Sequence, residues 1–356
     1  MMTKELKTIV KNLPQAPGVY FFLDKNGQII YIGKAINIKK RIQSHFSSQA
    51  KKERGWRNTI IDYSKVKTID FIPTKTEKDA LILESALVKK HQPYYNLALK
   101  DDKNFLYIGF TRETYPRIFT TRQPKKIAAD YIGPFVAGYE TKEFLAALRR
   151  IFPYKTCKNP VGKPCLYYHL GQCWAHLEKA KDYYKIVNGL KALIGIYNGT
   201  GAHIECYDIS NTSGQLSVGS MVTFINNKPK KYLYRKFRIR TVSGSDDPRS
   251  LAEIISRRLA HKEWKYPDLI VVDGGKGQLS RLNNIPLSVI GISKRKASKR
   301  TRVSGIVHSP YGYGSVGIRQ LPELVRDTIL AARDEAHRFA IAYHRLRRRS
   351  QIYTNK

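Results

Sequence analysis

Acidic side chains and one histidine in the second half of the chain are of the types that hold a divalent metal. Asp208 lies inside an apolar run, where an unpaired carboxylate is costly to bury, so it needs a cation, a hydrogen-bond donor or a metal. Asp273 ends a second apolar run, Asp246 and Asp247 precede a proline, and His337 lies in a basic stretch. Carboxylate oxygens favour hard cations such as Mg²⁺ and Mn²⁺. A metal held here could activate water and stabilise the leaving oxygen of a phosphodiester.

Each of these residues also has a structural interpretation. Asp247 precedes Pro248, so it could cap a helix that has proline at its first position. Asp273 precedes two glycines, as in an Asp-Gly turn, and a lone helical histidine such as His337 is more often structural than catalytic. Because neighbouring side chains point apart, only one of Asp246 and Asp247 can easily face a metal. The joint pattern favours a metal site, and the structural interpretations stay open.

A second set of reactive side chains lies near the start of the chain. Hydrolysis of a phosphodiester requires a base for the water, cations beside the phosphate and usually a metal. Tyr31 ends a predicted hairpin strand, and Lys34 and Arg41 follow it. Glu84 lies in a predicted helix of alanine and leucine, either at the helix surface or positioned for a cation. The residue types for all three tasks are therefore present.

Spacing makes this N-terminal set specific. The triplet Tyr-Ile-Gly also occurs at 107–109 and 131–133, so alone it indicates little. Only the copy at 31–33 has a Gly-Val-Tyr partner, at 18–20, one hairpin strand upstream and a basic helix downstream. The composite pattern therefore predicts a site.

Hydrophobic periodicity predicts the elements that must position both sets. Residues 19–23 and 28–32 form a hairpin across an Asp-Lys-Asn-Gly turn, and helices follow at 37–44 and 77–91. In the second half we expect three strands and two helices, at 204–209, 217–225, 269–272, 251–260 and 321–343. This order predicts a multidomain α/β protein in which helices cover a mixed sheet.

Composition favours a polyanion as the partner. The 356 residues carry 64 Lys and Arg against 28 Asp and Glu, a formal charge of +36, and 42% of them are hydrophobic. This length and hydrophobic content predict folded domains, and the charge predicts binding to nucleic acid rather than to a membrane. No apolar run is long enough to span a bilayer, and the start lacks the apolar core of a signal peptide, so we expect a cytoplasmic protein.

Cationic residues concentrate in two runs, at 293–302 and 345–349. Such a run is usually a solvated face, but both lie near the predicted metal site, which favours contact with a phosphate backbone and an affinity that falls steeply with salt. The predicted DNA contacts are Lys39 and Lys40 on the first basic helix and, in the first run, Lys294, Arg295, Lys296, Lys299, Arg300 and Arg302.

The N-terminal set resembles the GIY-YIG nuclease domain of the UvrC family. The matching positions are 17–20, 31–35, Arg41, Glu84 and 92–96, and the likeness covers approximately residues 13–100. It implies Tyr31 as the general base or its close partner, with Tyr20 in support. It also implies Arg41 and Lys34 on the scissile phosphate, Glu84 as the sole protein ligand of the metal, and Asn96 in a supporting role.

The second set resembles the RNase H-like endonuclease domain of the same family. Four segments occur in the family's order, at 207–210, 244–247, 272–278 and 333–337. The resemblance implies a catalytic set in which three carboxylates hold Mg²⁺ or Mn²⁺ and a histidine assists, namely Asp208, Asp247, Asp273 and His337.

The two likenesses divide the chain into three parts. We expect a GIY-YIG nuclease domain at 13–97, a connecting region at 98–200 and an RNase H-like endonuclease domain at 201–356. The predicted fold class is therefore multidomain α/β: a small GIY-YIG domain, a cysteine-bearing linker and an RNase H-like domain with a mixed sheet.

Three cysteines of the connecting region, Cys157, Cys165 and Cys173, match the segment in which the family holds an iron–sulfur cluster. The family carries a fourth cysteine shortly afterwards, where this chain has Trp-Ala-His, so a [4Fe–4S] cluster would need His176 in its place. One interpretation is a Cys₃His site for an iron–sulfur cluster or zinc. The other is a remnant whose thiols pack as small hydrophobes. We expect no disulfides, as in a reducing compartment.

Three features depart from the family. His45 stands where the family commonly has a tyrosine, and only residues 177–201 lie where the family has the helical module that docks UvrB. The chain also ends soon after His337, where the family has tandem helix-hairpin-helix units. The family implies UvrB and DNA as partners, and the second departure argues against UvrB.

We therefore expect a shortened, metal-dependent endonuclease of nucleotide excision repair. The resemblance implies one cut 3′ of a lesion by the N-terminal site and one cut 5′ of it by the C-terminal site. Two alternatives remain: a nuclease that acts on branched or unpaired DNA without UvrB, and a non-catalytic DNA-binding remnant.

Overall fold

The computed structural model describes residues 4–46, 61–99, 105–124, 127–160, 163–175, 180–210, 218–242, 246–293 and 305–354. The chain divides into two compact units, Met1–Phe105 and Leu106–Lys356. Within the described ranges, no helix has both the length and the apolar character needed to cross a membrane.

The first unit is a three-stranded antiparallel sheet with helices on both faces. The strands are β1 (Gly18–Leu23), β2 (Ile29–Ala35) and β3 (Thr68–Pro73), in the order β2-β1-β3. The helices are α1 (Lys4–Lys11), α2 (Ile38–His45) and α3 (Glu77–His91), with short 3-10 helices at Tyr63–Lys65 and Tyr94–Leu99. The predicted hairpin is present, and α3 has its predicted bounds.

Alternation along β1 builds two small cores in this unit. Val19 and Phe21 pack against α3, whereas Tyr20 and Phe22 pack against α1 and α2. Because both faces are covered, β1 is apolar throughout. The central strand therefore fixes β2 and the two helices that carry the predicted N-terminal site.

The second unit begins with a small antiparallel sheet in the order β5-β4-β6. Its strands are β4 (Leu106–Thr111), β5 (Ile118–Thr121) and β6 (Ala129–Phe135). Three helices follow, α4 (Gly138–Arg149), the short α5 (Leu166–His169) and α6 (Ala180–Asn198). Buried side chains of the small sheet, α4 and α6 belong to the same hydrophobic core as those of the large sheet that follows.

The large sheet has eight described strands, in the order β10-β8-β7-β11-β12-β13-β14 with β9 paired to β8. They are β7 (His203–Ser210), β8 (Val218–Ile225), β9 (Lys228–Pro229), β10 (Arg235–Arg238), β11 (Leu269–Asp273), β12 (Val289–Ser293), β13 (Ile306–His308) and β14 (Val316–Gly317). Strand β11 runs parallel to β7 and β12, and the other pairs are antiparallel. The sheet is therefore mixed, as the sequence predicts.

Helices cover both faces of this sheet. They are α7 (Asp247–Ala260), the short α8 (Lys276–Leu279) and α9 (Glu323–Thr354), with 3-10 helices at Lys231–Leu233 and Ile318–Gln320. Core residues of α6 and α9 pack on one face and those of α7 and α8 on the other. The prediction of α9 begins two residues early and ends well before Thr354, and the prediction of α7 misses its first turn.

Candidate active sites

The predicted N-terminal set lines a single cleft of about 570 Å³ in the first unit. Strand β2 supplies Tyr31 and Lys34, α2 supplies Arg41, and α3 supplies Glu84. The other residues that line the cleft are Tyr20, Ala35, Ile36, Asn37, Lys40 and Glu77. The structure therefore brings a phenol pair, three cations and two carboxylates together, as a phosphodiester site needs.

Tyr20 forms the inner wall of this cleft. Its ring is fully buried, and its hydroxyl interacts with Tyr31 and Arg41. Burial, followed by the neighbouring Tyr31, raises the pKa of Tyr20 well above its ordinary value, so this phenol keeps its proton near neutral pH. Gly33 lies opposite Tyr20 in the hairpin, and a Cβ there would lie 2.5 Å from the Tyr20 hydroxyl. Glycine is thus required for the phenol to reach the cleft.

His45 occupies the helix position at which the resemblance predicts a tyrosine. Its Nε2 lies 2.5 Å from the Tyr20 hydroxyl, and its Nδ1 lies 2.8 Å from the hydroxyl of Tyr63. Burial, with a smaller effect from Arg41, lowers the pKa of His45 to about 4, so the ring is neutral at pH 7. A hydroxyl is still part of this hydrogen-bond network, but it belongs to Tyr63, which no sequence motif indicates.

Glu84 presents its carboxylate beside the end of β2. Its Oε1 accepts a hydrogen bond of 2.7 Å from the backbone N–H of Lys34. Burial raises the pKa of Glu84, although the Lys34 N–H and the charges of Lys34 and Arg41 act in the opposite direction. A carboxylate fixed at one oxygen can offer the other to a hard cation, with water completing the coordination.

Asn96 lies behind the site rather than in the cleft. Its side chain is buried and makes both hydrogen bonds with the backbone of Ile32, accepting from N at 2.8 Å and donating to O at 2.7 Å. This pairing caps the outer edge of β2 between Tyr31 and Gly33. Asn96 therefore braces the strand that carries the phenol.

The two lysines predicted to contact DNA beside this cleft differ in their surroundings. Lys40 is exposed and lines the cleft. The ammonium of Lys39 donates a 2.7 Å hydrogen bond to the carbonyl of Lys11 and does not line it.

The second set meets at the carboxyl ends of two parallel strands. In β7, Cys206 and Asp208 face α9, and in β11, Val271 and Asp273 have the same orientation. Because Cys206 pairs with Val271 in the sheet register, the two aspartates that follow two residues later lie side by side. The structure thus confirms that these carboxylates converge.

His337 reaches the same point from α9. Its Nδ1 lies 3.2 Å from Oδ2 of Asp208, and ligand atoms of Asp208, Asp273 and His337 all lie within 4.8 Å of one another. Burial raises the pKa of Asp208, the hydrogen bond from His337 lowers it, and the charges of Asp273 and Asp247 raise it. Carboxylates that repel one another in this way form a favourable site for a divalent cation.

The neighbours Asp246 and Asp247 have separate roles in the geometry. Asp246 is the N-cap of α7: its side chain accepts a 3.0 Å hydrogen bond from the N–H of Arg249 and pairs with its guanidinium at 3.2 Å. Asp247 lines the pocket that contains Asp208 and Asp273, which has a volume of about 320 Å³. The capping interpretation of Asp247 is therefore wrong, since the cap is one residue earlier.

Two polar side chains of this pocket were not selected from the sequence. Gln278 lines the pocket and accepts a 3.0 Å hydrogen bond from the N–H of Gly275, and Ser293, at the end of β12, also lines it. The Ser293 hydroxyl lies 3.0 Å from Nε2 of His308. Prediction of β12 as a third parallel neighbour would have placed Ser293 at the same sheet edge as Asp273.

The cysteines do not converge in the same way. All four are free thiols, and Cys165 lies beside Cys157. Slight burial raises the pKa of Cys165, but hydrogen bonds from the N–H groups of Tyr168 and Tyr167 and from the Cys157 thiol lower it by more. Burial raises the pKa of Cys173. The only cluster of potential ligands at single-metal distances in the described part of the chain is the aspartate–histidine group. The three thiols therefore do not form a single-metal site such as zinc by themselves.

Several predicted residues cannot be placed. His176 and the cationic residues of the first run, Lys294, Arg295, Lys296, Lys299, Arg300 and Arg302, lie outside the described residues. Helix α9 includes the second run, 345–349, but its side chains are likewise not described.

Comparison with known families agrees with this geometry. A family model described as a UvrC-like GIY-YIG domain matches residues 16–97, and one described as the UvrC/Cho excinuclease middle domain matches 105–192. A third, described as the UvrC RNase H endonuclease domain, matches 197–341. The chain belongs to the UvrC family. It is a DNA endonuclease of nucleotide excision repair, with the GIY-YIG and RNase H-like folds that the sequence predicts.

Curated relatives match over the whole chain. UvrABC system protein C from Streptococcus equi subsp. zooepidemicus and from Streptococcus uberis are each 26% identical over 545 positions, which cover 100% of this chain and 91% of the relative. Because this chain has 356 residues, the aligned relatives contain long stretches with no counterpart in it.

Solved structures match parts of the chain. The GIY-YIG N-terminal endonuclease domain of UvrC from Thermotoga maritima, bound to magnesium as its catalytic cation, is 30% identical and covers 27% of this chain and 99% of its own, with a TM-score of 0.22. Endonuclease V of Ciona intestinalis in complex with inosine-containing DNA is 18% identical and covers 27% of this chain and 47% of its own, also with a TM-score of 0.22.

Proposed function

We propose that this chain cuts a damaged DNA strand twice, using one metal-dependent site in each unit. The observation that supports this most strongly is the presence of two separate side-chain constellations for phosphodiester hydrolysis, one in each unit. The domain at 13–97 makes the cut 3′ of the lesion and the domain at 201–356 makes the cut 5′ of it, with 98–200 between them. The polarity rests on the resemblance to the family.

In the N-terminal site, Tyr31 is the general base for the attacking water or its close partner. Tyr20 holds the Tyr31 hydroxyl in place, and His45 holds Tyr20. Lys34 and Arg41 bind the scissile phosphate and offset the charge that develops on its oxygens. The water oxygen bonds to phosphorus and its proton passes through the Tyr31 hydroxyl to solvent, while the bond from phosphorus to the leaving oxygen breaks and that oxygen takes a proton from water.

In the C-terminal site, Asp208, Asp247 and Asp273 would hold the cation, and His337 moves a proton. His337 is exposed and hydrogen-bonded to Asp208, so it can exchange protons with solvent while it remains beside the reacting phosphate. Bound Mg²⁺ or Mn²⁺ would supply the same chemistry in both sites, charge neutralisation at phosphate and a lower pKa for water. Glu84 is the residue that would hold it in the first unit.

UvrB-independent action is the second candidate function. The family acts on DNA together with UvrB, but the aligned relatives contain long stretches that this chain lacks. A chain without the docking module would rely on its own charge of +36 to bind DNA, with branched or unpaired strands as substrates.

Incision of a lesion-bearing duplex tests both functions. The substrate is incubated with the full chain and Mg²⁺, with and without UvrB and the rest of the UvrABC loading system. The proposal expects two cuts in the damaged strand that require the lesion and the loading system and disappear with EDTA. Equal cutting of an undamaged branched DNA without UvrB would support the second candidate, and no cutting under any of these conditions would contradict both.

A further inference from the structure

Glu77 is a carboxylate of the N-terminal cleft to which no role has been given so far. It is the first residue of α3 and lines the cleft together with Glu84, which lies two helical turns later on the same helix. The ammonium of Lys34 lies 2.8 Å from Oε1 of Glu77. Lys34 therefore contacts both carboxylates of the cleft, Glu84 through its backbone N–H and Glu77 through its side chain.

This ion pair has little to contribute to folding. The side chains of Lys34 and Glu77 are 36% and 48% exposed, and pairs this accessible to water add little to stability. Glu77 also lies in the first turn of α3, where negative charge is favourable, but Asp79 in the same turn provides this too. The main effect of the Lys34–Glu77 pair is therefore to fix the position of the Lys34 ammonium.

Glu84 is the other carboxylate that the Lys34 ammonium can reach. The lysine side chain is flexible, and the positive charge of Lys34 already acts on Glu84 from its present position. An ammonium paired directly with Glu84 would occupy the oxygen that a divalent cation needs, and it would be drawn away from the phosphate.

We propose that Glu77 is a positioning residue that holds the Lys34 ammonium away from Glu84, leaving Glu84 for the metal and Lys34 for the phosphate. This inference rests on the proposed function of the N-terminal cleft. It assigns Glu77 no contact with the metal or with DNA. Removing its charge should therefore weaken metal binding, because the Lys34 ammonium would then pair with Glu84.

The test measures Mn²⁺ binding directly, in the full chain carrying Asp208→Ala and Asp273→Ala so that the C-terminal site does not contribute. Free Mn²⁺ is followed by electron paramagnetic resonance in this reference chain and with Glu77→Gln added. We expect the dissociation constant to rise about five-fold, the size of a partly screened charge–charge interaction. The matched control Asp79→Asn removes a charge from the same helical turn outside the cleft and should leave Mn²⁺ binding unchanged.

A second pair of variants separates action through Lys34 from direct attraction of the metal. With Lys34→Met in place, Glu77→Gln should change the Mn²⁺ dissociation constant less than about two-fold, because no ammonium remains to compete. A five-fold loss that persists with Lys34→Met would overturn the proposal, since Glu77 would then act on the metal itself. Unchanged Mn²⁺ binding in the Glu77→Gln chain would overturn it as well.

DNA incision supplies the remaining readout and keeps the two claims distinguishable. In the reference chain, Glu77→Gln should raise the Mg²⁺ concentration for half-maximal incision. If the reference chain binds Mn²⁺ with the predicted Glu77 dependence but never cuts, the proposed function fails while the positioning role of Glu77 stands. If it cuts and Glu77→Gln alters neither Mn²⁺ binding nor the Mg²⁺ requirement, only the positioning role fails.

Discussion

The two candidate sites, which we propose carry out the same chemistry, are built from different types of side chain. The N-terminal cleft offers two phenols and three cations around a single carboxylate, Glu84, that is placed to hold a metal. The C-terminal site gathers Asp208, Asp247 and Asp273 with one histidine at the end of two parallel strands. Under the proposed function, side chains would supply most of the positive charge beside the phosphate in the first site, whereas a bound cation would supply it in the second.

Because of this difference, we expect the two sites to be sensitive to different substitutions. The N-terminal cleft depends on its tyrosine hydroxyl groups and on their burial, because both fix the Tyr20–Tyr31 pair. A site built on converging carboxylates depends on the number of negative charges that hold its cation. Substitutions that remove a hydroxyl, a charge or a titrating ring should therefore affect the two sites differently.

The largest expected effect is at Asp247. Asp247→Asn removes one of three acidic ligands, and we expect the 5′ cut to slow by at least about 10³-fold, because metal stabilisation contributes several kcal/mol. The 3′ cut should keep its rate. Asp246→Asn is the matched control, since it changes only the N-cap side chain and its ion pair with Arg249, and single-turnover incision should be unaffected. Equal loss in both variants would contradict the separate roles of these neighbours.

The next effect is at the phenol of the N-terminal cleft. Tyr31→Phe removes the hydroxyl of the general base or its partner, and the 3′ cut should slow by about 10²- to 10⁴-fold with the 5′ cut unchanged. Tyr94→Phe, an exposed tyrosine outside the cleft, should keep both rates. A Tyr31→Phe chain that cuts both positions normally would show that the cleft does not depend on this ring.

Burial of His45 predicts a pH dependence of stability in the first unit. An unfolded histidine gains a proton as pH falls below about 6.5, whereas folded His45 stays neutral down to its pKa of about 4. The free energy of unfolding therefore falls by roughly 3 kcal/mol as the pH drops from about 6.5 to about 4. Above pH 6.5 the buried neutral ring makes its full contribution to stability. Amide exchange of β1 and β2, corrected for intrinsic rates, should show this loss in the wild type and not in His45→Gln. An identical pH profile in both chains would contradict the claim that folded His45 stays neutral in this pH range.

The smallest effect concerns two adjacent lysines. Lys40→Ala should lower DNA affinity a few-fold and reduce the salt slope of binding by about 1, because this exposed lysine lines the cleft. Lys39→Ala should change the slope less, since its ammonium is bonded to the carbonyl of Lys11. Fluorescence anisotropy over a salt series measures both slopes, and the reverse order would place the DNA on the other side of α2.

Local signals made much of this molecule predictable. The hairpin follows from its Asp-Lys-Asn-Gly turn, and α3 begins after Thr76, whose side chain accepts a hydrogen bond from the N–H of Asp79. The resemblance alone placed Asp208 and Asp273 in one site, because the sequence does not show that β7 and β11 are parallel neighbours.

Features that depend on distant contacts were not predictable. Tyr63 meets His45 only because α2 and the 3-10 helix at Tyr63–Lys65 pack on the same face of the sheet. Ser293 was missed because the short apolar run that forms β12 was not assigned as a strand. The choice between Asp246 and Asp247 needs the backbone of α7, which decides which carboxylate reaches the N–H of Arg249.

Mapping both cuts on one damaged substrate tests the central claim most directly. A lesion-bearing duplex labelled at both ends of the damaged strand is incubated with the loading system and with wild type, Glu84→Ala or Asp208→Ala. Two independent sites predict that Glu84→Ala loses only the 3′ cut and Asp208→Ala loses only the 5′ cut, while the wild type makes both. Loss of the same cut by both variants, or of no cut by either, would contradict the account.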